Sequence, residues 1–460
     1  MTSGSAATRL NRKLSTTDCP RLQIALVQDL SPRNLQRASV IPRNAKPPRP
    51  SRIEVAIGFR AGVPISAERA RESRRAAWEE NVMPHRNKIR VSQPDLSTRE
   101  RQYLLDAFDS TWISSTGPFV SKFEKRFAGF ADVGHAISCV NGTAAMHLAL
   151  MGLGIGPGDE VIVPAMTYIA SANVIRYVGA EPVLADCDPN TWTISPDSIS
   201  RLITPRTRAI IAVHLLGVPA DMDAVKKLAD DHGLAVIEDA AEAHGATVNG
   251  KPVGSLGDVS AFSFYGNKIL STGEGGMVCT NRGDLAERMR LLRGQGARRD
   301  RCYQFDEVGY NYRMTNLACA IGLAQVERFD ELRARREMVR TWYDRALNDA
   351  RLPVARQRTT RRSASVLWIY GIVLKESVPI DRDALRQRLA DDGIETRPFF
   401  PALNTQRIYA DCRNDEGCAV SRHLGQHGIM LPTHSQLTEG DADRVVGSLA
   451  AALQQPVGAS

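Results

Sequence analysis

Lys268 follows the run Ser263-Phe264-Tyr265-Gly266-Asn267 and precedes the glycine-rich stretch Gly273-Glu274-Gly275-Gly276, while Asp239 stands 29 residues upstream at the end of an apolar run. A lysine on a tight loop can form a Schiff base with a carbonyl cofactor, and an aspartate at a strand end can keep a pyridinium nitrogen protonated. Each residue also has a plainer use, the lysine as a solvated surface charge and the aspartate as a helix cap or turn former. The chemical reading therefore depends on what accompanies them.

Three further pieces do. In Asn141-Gly142-Thr143-Ala144-Ala145 a strand pattern ends in small residues and a helix begins, so free N–H groups and the helix dipole meet any anion that docks there, with the Thr143 hydroxyl as a further donor. Standing alone, this motif would be a helix cap. Tyr168 ends the run Pro164-Ala165-Met166-Thr167-Tyr168, where an aromatic at the carboxyl edge of a sheet can lie over a flat ring or simply fill the core. In Val236-Ile237-Glu238-Asp239-Ala240-Ala241-Glu242-Ala243-His244-Gly245, Asp239 would face a pyridine nitrogen and Glu242 the ring edge or phenolic oxygen. His244 reads as a packing or hydrogen-bonding residue. Ser263 can give its hydroxyl to a phosphate. Together these residue types describe a pyridoxal 5'-phosphate site in which Lys268 and Asp239 are catalytic. A lysine beside a cationic ring titrates low enough to act as a base.

The elements around these motifs alternate. Strands are predicted over His135–Val140, Glu160–Pro164, Pro182–Asp186, Ala209–His214, Ala235–Glu238, Val259–Phe264 and Met277–Thr280. Helices are predicted over Ala144–Leu153, Ala170–Val178, Pro196–Leu202 and Ala224–His232. That order predicts an α/β fold with a mainly parallel seven-stranded sheet covered on both faces. A helical pattern from Asn316 to about Asn348 would lead into a smaller α+β unit with strands at Leu367–Leu374 and Thr396–Phe399 and helices at Arg382–Asp391 and Glu439–Leu453. The expected division is 1–82 as an extension, 89–325 as a large cofactor-binding domain, and 326–460 as the long helix with the small domain.

Charge separates the extension from the rest. Residues 1–90 carry a balance of +11 and the remaining 370 carry −3, so the overall +8 belongs to the extension, and the body is a poor binder of nucleic-acid backbone. With Pro42, Pro47, Pro48 and Pro50 and no sustained pattern before a charged helical stretch over Ala67–Asn81, residues 1–82 read as disordered. Their arginines and serines resemble a transit peptide without its amphipathic helix, and Met83 is a candidate start. No apolar run reaches the roughly 18 residues of a membrane span. Eight scattered cysteines, with no Cys-x-x-Cys pair or histidine cluster, suggest a reducing, cytoplasmic setting and no metal site. Cys139 and Cys279 read as small core residues.

Asn-Gly-Thr-Ala-Ala, Glu-Asp-Ala-Ala-Glu-Ala and Ser-Phe-Tyr-Gly-Asn-Lys with Gly-Glu-Gly-Gly together resemble the DegT/DnrJ/EryC1/StrS sugar aminotransferases, a branch of fold type I pyridoxal phosphate transferases, from about residue 89 to 453. Trp112-Ile113-Ser114-Ser115, Leu291-Leu292-Arg293-Gly294-Gln295-Gly296 and Gly309 to Asn316 are similar to a branch acting on GDP-4-keto-6-deoxymannose. The resemblance implies transfer of an amino group from glutamate to carbon 4 of that nucleotide sugar. UDP- and dTDP-keto sugars are the alternatives. It also implies a homodimer in which Asn311 reaches the neighbouring subunit's cofactor phosphate; from the residues alone, that segment is a polar turn. The segments from Trp112 to Val120 and from Arg397 to Tyr409 are implied to approach the sugar, with Trp112, Ser114, Arg313 and Asn404 as substrate contacts. The chain departs from that branch in Phe400-Pro401-Ala402-Leu403-Asn404 and at Gln304, both in substrate-facing stretches. Family members that deoxygenate their sugar carry histidine in place of the anchoring lysine, so Lys268 argues against that chemistry. A non-catalytic regulator that binds nucleic acid through the extension is the most distant rival.

Overall fold

The computed structural model describes residues 88–454 apart from 299, 301, 302 and 379. The extension with its expected helix, Cys19, Cys302 and the last six residues lie outside the described residues. Two helices come first, α1 (Thr98–Asp109) and α2 (Pro118–Ala131), both unanticipated from the sequence. Their signals are nonetheless present. Ser97 and Glu100 form a reciprocal capping box at the start of α1. In α2, Pro118 occupies the first turn, and Phe119, Phe123 and Phe127 recur every four residues along its buried face.

The central sheet is then built by β1 (His135–Cys139), α3 (Gly142–Gly152), β2 (Glu160–Pro164), α4 (Ala170–Tyr177), β3 (Glu181–Ala185), α5 (Pro196–Leu202), β4 (Thr207–Val213), α6 (Met222–His232) and β5 (Ala235–Asp239). A small excursion holds β6 (Thr247–Val248) and β7 (Lys251–Pro252), and β8 (Val259–Ser263) and β9 (Gly276–Thr280) complete the sheet. Its order is β1-β9-β8-β5-β4-β2-β3. β2 to β5 and β8 pair in parallel, whereas β9 runs antiparallel to both neighbours. The reversal follows from the connection. A parallel return needs a crossover, usually helical, and β8 leads directly through a closed loop into β9. Both faces are buried: Ile210 and Ala212 of β4 point into one core, Ala209, Ile211 and Val213 into the other. Continuous apolar runs, rather than alternating ones, are what such strands require.

α7 (Gly283–Arg293) covers the sheet and leads to α8 (Asn316–Glu327) and α9 (Phe329–Ala350). The single long helix expected over Asn316–Asn348 is therefore two helices. The break falls at Arg328, whose backbone leaves helical geometry (φ −102°, ψ 7°) and whose guanidinium reaches Glu100 at 2.9 Å, Asp95 at 3.1 Å and Glu331 at 3.2 Å. An uninterrupted amphipathic pattern does not reveal that a buried arginine is drawn aside by acids more than 200 residues away.

The remainder comprises β10 (Val354–Arg356), β11 (Ser363–Ala364), β12 (Tyr370–Leu374), α10 (Arg382–Asp391), β13 (Arg397–Pro398), α11 (Ala419–His427), β14 (Gly428–Leu431) and α12 (Glu439–Gln454). β10, β12, β14 and β13 form an antiparallel sheet in that order, while β11 pairs with β6. Leu367–Ile369, expected in a strand, precede β12, and only two residues of Thr396–Phe399 form a ladder. Among the described residues no helix is long and apolar enough to cross a membrane. Cys139 and Cys279 are buried, free thiols.

Candidate active site

The candidate residues converge at the carboxyl edge of the sheet, where β2, β4, β5 and β8 end and α3 begins. Register brings them there: Val213 of β4 pairs with Asp239 of β5, and Asp239 with Ala261 of β8. Consecutive strand residues face opposite ways, and β5 ends on two acids. Glu238 is fully buried and accepts the N–H groups of Gly254, Leu256 and Gly257 at 2.8, 2.7 and 2.6 Å, beside the His214 ring at 3.1 Å. Burial pushes its carboxyl up, but the His214 ring and the Gly254 and Gly257 amides hold it below the usual range. Asp239 instead receives the Ser171 hydroxyl on Oδ2 at 2.7 Å and the Ala241 N–H on Oδ1 at 3.2 Å. Ser171 pairs in turn with the Thr167 hydroxyl at 3.1 Å.

One turn further, Glu242 is buried. Its Oε2 accepts the Leu216 N–H at 2.8 Å, and its Oε1 lies 3.6 Å from the Lys268 ammonium. Lys268 stands on the loop that joins β8 to β9. Phe264 N–H to Gly275 O at 2.8 Å and Thr272 N–H to Phe264 O at 2.9 Å close this loop, and Lys268 N–H to Tyr265 O at 2.9 Å tightens its turn. The Lys268 ammonium also lies 3.8 Å from the ring centre of Trp368, whose Nε1–H donates to the Asn267 carbonyl at 2.8 Å. Burial lowers the Lys268 ammonium below its ordinary value, against the pull of Glu242 and Asp239. Burial also pushes the Glu242 carboxyl up to about 7, against Lys268. His244 is fully buried against the rings of Phe262 and Phe264, with no hydrogen bond to either ring nitrogen among the described residues, and burial holds it down to about 3. It is a neutral packing ring.

On the opposite side of the site, Asn141 caps α3 by accepting the Ala144 N–H at 2.8 Å. The Gly142 and Thr143 amides make no hydrogen bond among the described residues, so with the Thr143 and Ser263 hydroxyls they are available to an anion. Gly142 is held close: a Cβ there would sit 2.8 Å from the Ser263 Cβ. The cradle could accept the phosphate arm of a flat aldehyde cofactor, with Lys268 as amine and Asp239 as carboxylate. On donor chemistry the residues fit pyridoxal 5'-phosphate.

The other candidates lie around the rim. Tyr168 is exposed and makes an edge contact with Phe400 at 5.6 Å. Trp112 and Ser114 are exposed on the loop before α2. Asn316, buried at the start of α8, ties that loop down: its Nδ2 donates to Trp112 O at 2.6 Å, its backbone N–H to Ser114 O at 2.6 Å, and its Oδ1 accepts the Phe119 N–H at 2.9 Å. Asn311 and Arg313 are exposed and joined by a 3.0 Å hydrogen bond, while Tyr312 between them accepts the Val140 N–H at 2.8 Å. Asn404 donates from Nδ2 to Gly417 O at 2.7 Å, and its Oδ1 is buried without a partner among the described residues. Its neighbour Leu403 binds the Ala165 carbonyl at 2.8 Å beyond β2. The structure thus brings Lys268, Glu242 and Asp239 together on one side and Gly142 with Ser263 on the other. Ser171, Trp368 and Asn316 escaped the sequence reading. Only Asn316, the last residue of the Gly309–Asn316 motif, stood near a recognised signal.

Comparison with known proteins adds an independent line. Residues 94–450 match the profile of the DegT/DnrJ/EryC1/StrS aminotransferase family. GDP-perosamine synthase of Caulobacter vibrioides is 51% identical over 362 residues, spanning 79% of this chain and 97% of that protein. GDP-perosamine synthase of Escherichia coli O157:H7 is 44% identical over 350 residues, 76% of this chain and 94% of that one. A Streptococcus pneumoniae protein solved in its PLP form superposes with a TM-score of 0.75 at 27% identity, covering 80% of this chain and 99% of that chain.

Proposed function

The chain belongs to the DegT/DnrJ/EryC1/StrS aminotransferase family, and from that premise we propose that it moves the amino group of glutamate to carbon 4 of GDP-4-keto-6-deoxymannose. It is a pyridoxal 5'-phosphate-dependent nucleotide-sugar aminotransferase. The GDP-linked substrate is the one implied by the activity of the Caulobacter and Escherichia relatives. The observation that carries the reading is the position of the Lys268 ammonium 3.6 Å from Glu242 and against the Trp368 ring, on the same sheet edge as Asp239. We assign residues 89–325 as the cofactor-binding domain and 326–460 as the smaller one.

The bound cofactor supplies a pyridinium ring that accepts the electron pair left when the donor's α-proton departs. The chain does the rest. Lys268 provides the covalent anchor and, once displaced by the donor amine, holds and returns the proton; its lowered basicity suits that task. Asp239, held by Ser171, would hold the pyridine nitrogen protonated. Glu242 would meet the ring edge, Tyr168 would cover the ring, and Gly142, Thr143 and Ser263 would hold the phosphate. Asn311 acts across a homodimer interface, for which the exposed Ile113, Tyr265, Phe305 and Val308 are candidate contacts. Trp112, Ser114, Arg313 and Asn404 border the sugar. The setting is cytoplasmic.

The test is to incubate purified protein with glutamate and a panel of GDP-, UDP- and dTDP-linked keto sugars and to detect the aminated product by mass. Amination of the GDP sugar is expected, and Lys268→Ala should neither turn over nor hold the cofactor covalently. Product from UDP or dTDP sugars alone would overturn the substrate. A wild-type protein that borohydride reduction leaves unlabelled at Lys268 would overturn the anchor.

A further inference from the structure

The Lys268 ammonium has two close partners of different kinds, the Glu242 carboxylate at 3.6 Å and the face of Trp368 at 3.8 Å. Trp368 is buried, and three contacts fix its place. Its indole N–H donates to the carbonyl of Asn267, the residue next to Lys268, at 2.8 Å. Its own carbonyl accepts from the buried Arg336 guanidinium at 2.7 Å. Two residues upstream, the Val366 N–H donates to Gly217 O at 3.1 Å. The ring is thus attached both to the lysine loop and to the segment entering the second sheet. No part of the family mechanism described above uses it.

We propose that Trp368 is the resting platform for Lys268 whenever the lysine is not bonded to the cofactor, a positioning residue that holds the freed ammonium by cation–π attraction within reach of the site. The inference rests on Lys268 being the anchor. An ammonium released into a largely buried space needs compensation, and a ring face provides it without a second full negative charge that would fix the lysine in a salt bridge. The groups facing the ammonium are few: Glu242 and Asp239 favour the charged form, neutral His244 adds no charge, and the Arg336 guanidinium lies behind the Trp368 backbone. Bonding to the cofactor's aldehyde, with loss of water, needs the free amine, so the ammonium must first give up a proton. The platform favours the protonated form and thereby sets the pH at which attachment becomes fast.

The experiment adds pyridoxal phosphate to the full-length apoprotein and follows the rate of covalent attachment by absorbance across pH. In Trp368→Leu the midpoint of the pH–rate curve should fall by about half to one pH unit, a three- to tenfold change in the ionisation equilibrium. Trp368→Phe, which keeps a ring face, should lie between Leu and wild type. A midpoint that is unchanged or raised in Trp368→Leu overturns the proposal. Should the leucine variant fail to fold, Trp368→Phe alone decides, since a wild-type midpoint there overturns it as well. Absence of attachment in the wild type would instead sink the assignment of Lys268.

Discussion

The Ser171 hydroxyl donates to Oδ2 of Asp239 at 2.7 Å, and its own oxygen pairs with Thr167. A buried strand-end carboxylate is thereby held by a helix from the neighbouring layer, not only by its own turn. Ser171→Ala removes a donor to a charged acceptor, worth about 1.5 to 3 kcal/mol. If the interaction counts fully in the transition state, kcat falls about ten- to a hundredfold. The KM for the nucleotide sugar should stay within about twofold by the logic that separates uniform binding from transition-state effects. Steady-state kinetics of the single variant decide it, and an unchanged kcat would remove Ser171 from the machinery.

Glu242 makes stability depend on pH. Its buried carboxyl is raised to about 7 from an ordinary 4.5, so the folded apoprotein holds that proton more tightly than the unfolded chain does. The favourable contribution is complete below about pH 4.5 and is lost as pH rises towards 7. Glu242→Gln stays neutral throughout and lacks this loss. Melting curves of the two apoproteins at pH 5, 6 and 7 should diverge in favour of the glutamine variant; parallel curves would count against the assignment.

Asn316→Ala should loosen the loop that carries Trp112 and Ser114. The substitution leaves the Trp112 carbonyl and the Phe119 N–H without their partner, at a cost of about 1 to 3 kcal/mol for each buried group. Faster proteolysis within residues 111–118 and a raised KM for the nucleotide sugar are expected, with the glutamate half-reaction little affected. Equal damage to both half-reactions would show that the loop serves the whole fold.

Gly142→Ala tests the phosphate cradle directly. The added methyl meets the Ser263 Cβ at 2.8 Å, and either the turn or Ser263 must move. Cofactor affinity should drop by roughly tenfold, a displacement penalty of about 1.4 kcal/mol. Titration of the apoprotein with pyridoxal phosphate, read by absorbance, measures it.

What could be read from the chain, and what could not, divides by the range of the interaction. Parallel strands buried on both faces write themselves as unbroken apolar runs such as Ala209–Val213, and turn residues bound them. Asp239 at the end of β5, and the loop that carries Lys268 between two such strands, were legible for the same reason. The capping box at Ser97 and the phenylalanine spacing of α2 are local signals too, and they could have been used. Trp368 could not: its partner is 100 residues away, and nothing in Val366-Leu367-Trp368-Ile369 distinguishes a ring under a lysine from one in a core. Asn316 and the break at Arg328 belong to the same class, polar groups whose partners are supplied only by the folded chain.

That break has a mechanical side. Because α8 and α9 meet at a bend pinned by Arg328 on Asp95 and Glu100, and because Arg336, about two turns into α9, donates to the Trp368 carbonyl, the bend and the ring beside the lysine are tied to one helix. Changes at Asp95 or Glu100 should therefore detune the active site while the sheet itself stays intact.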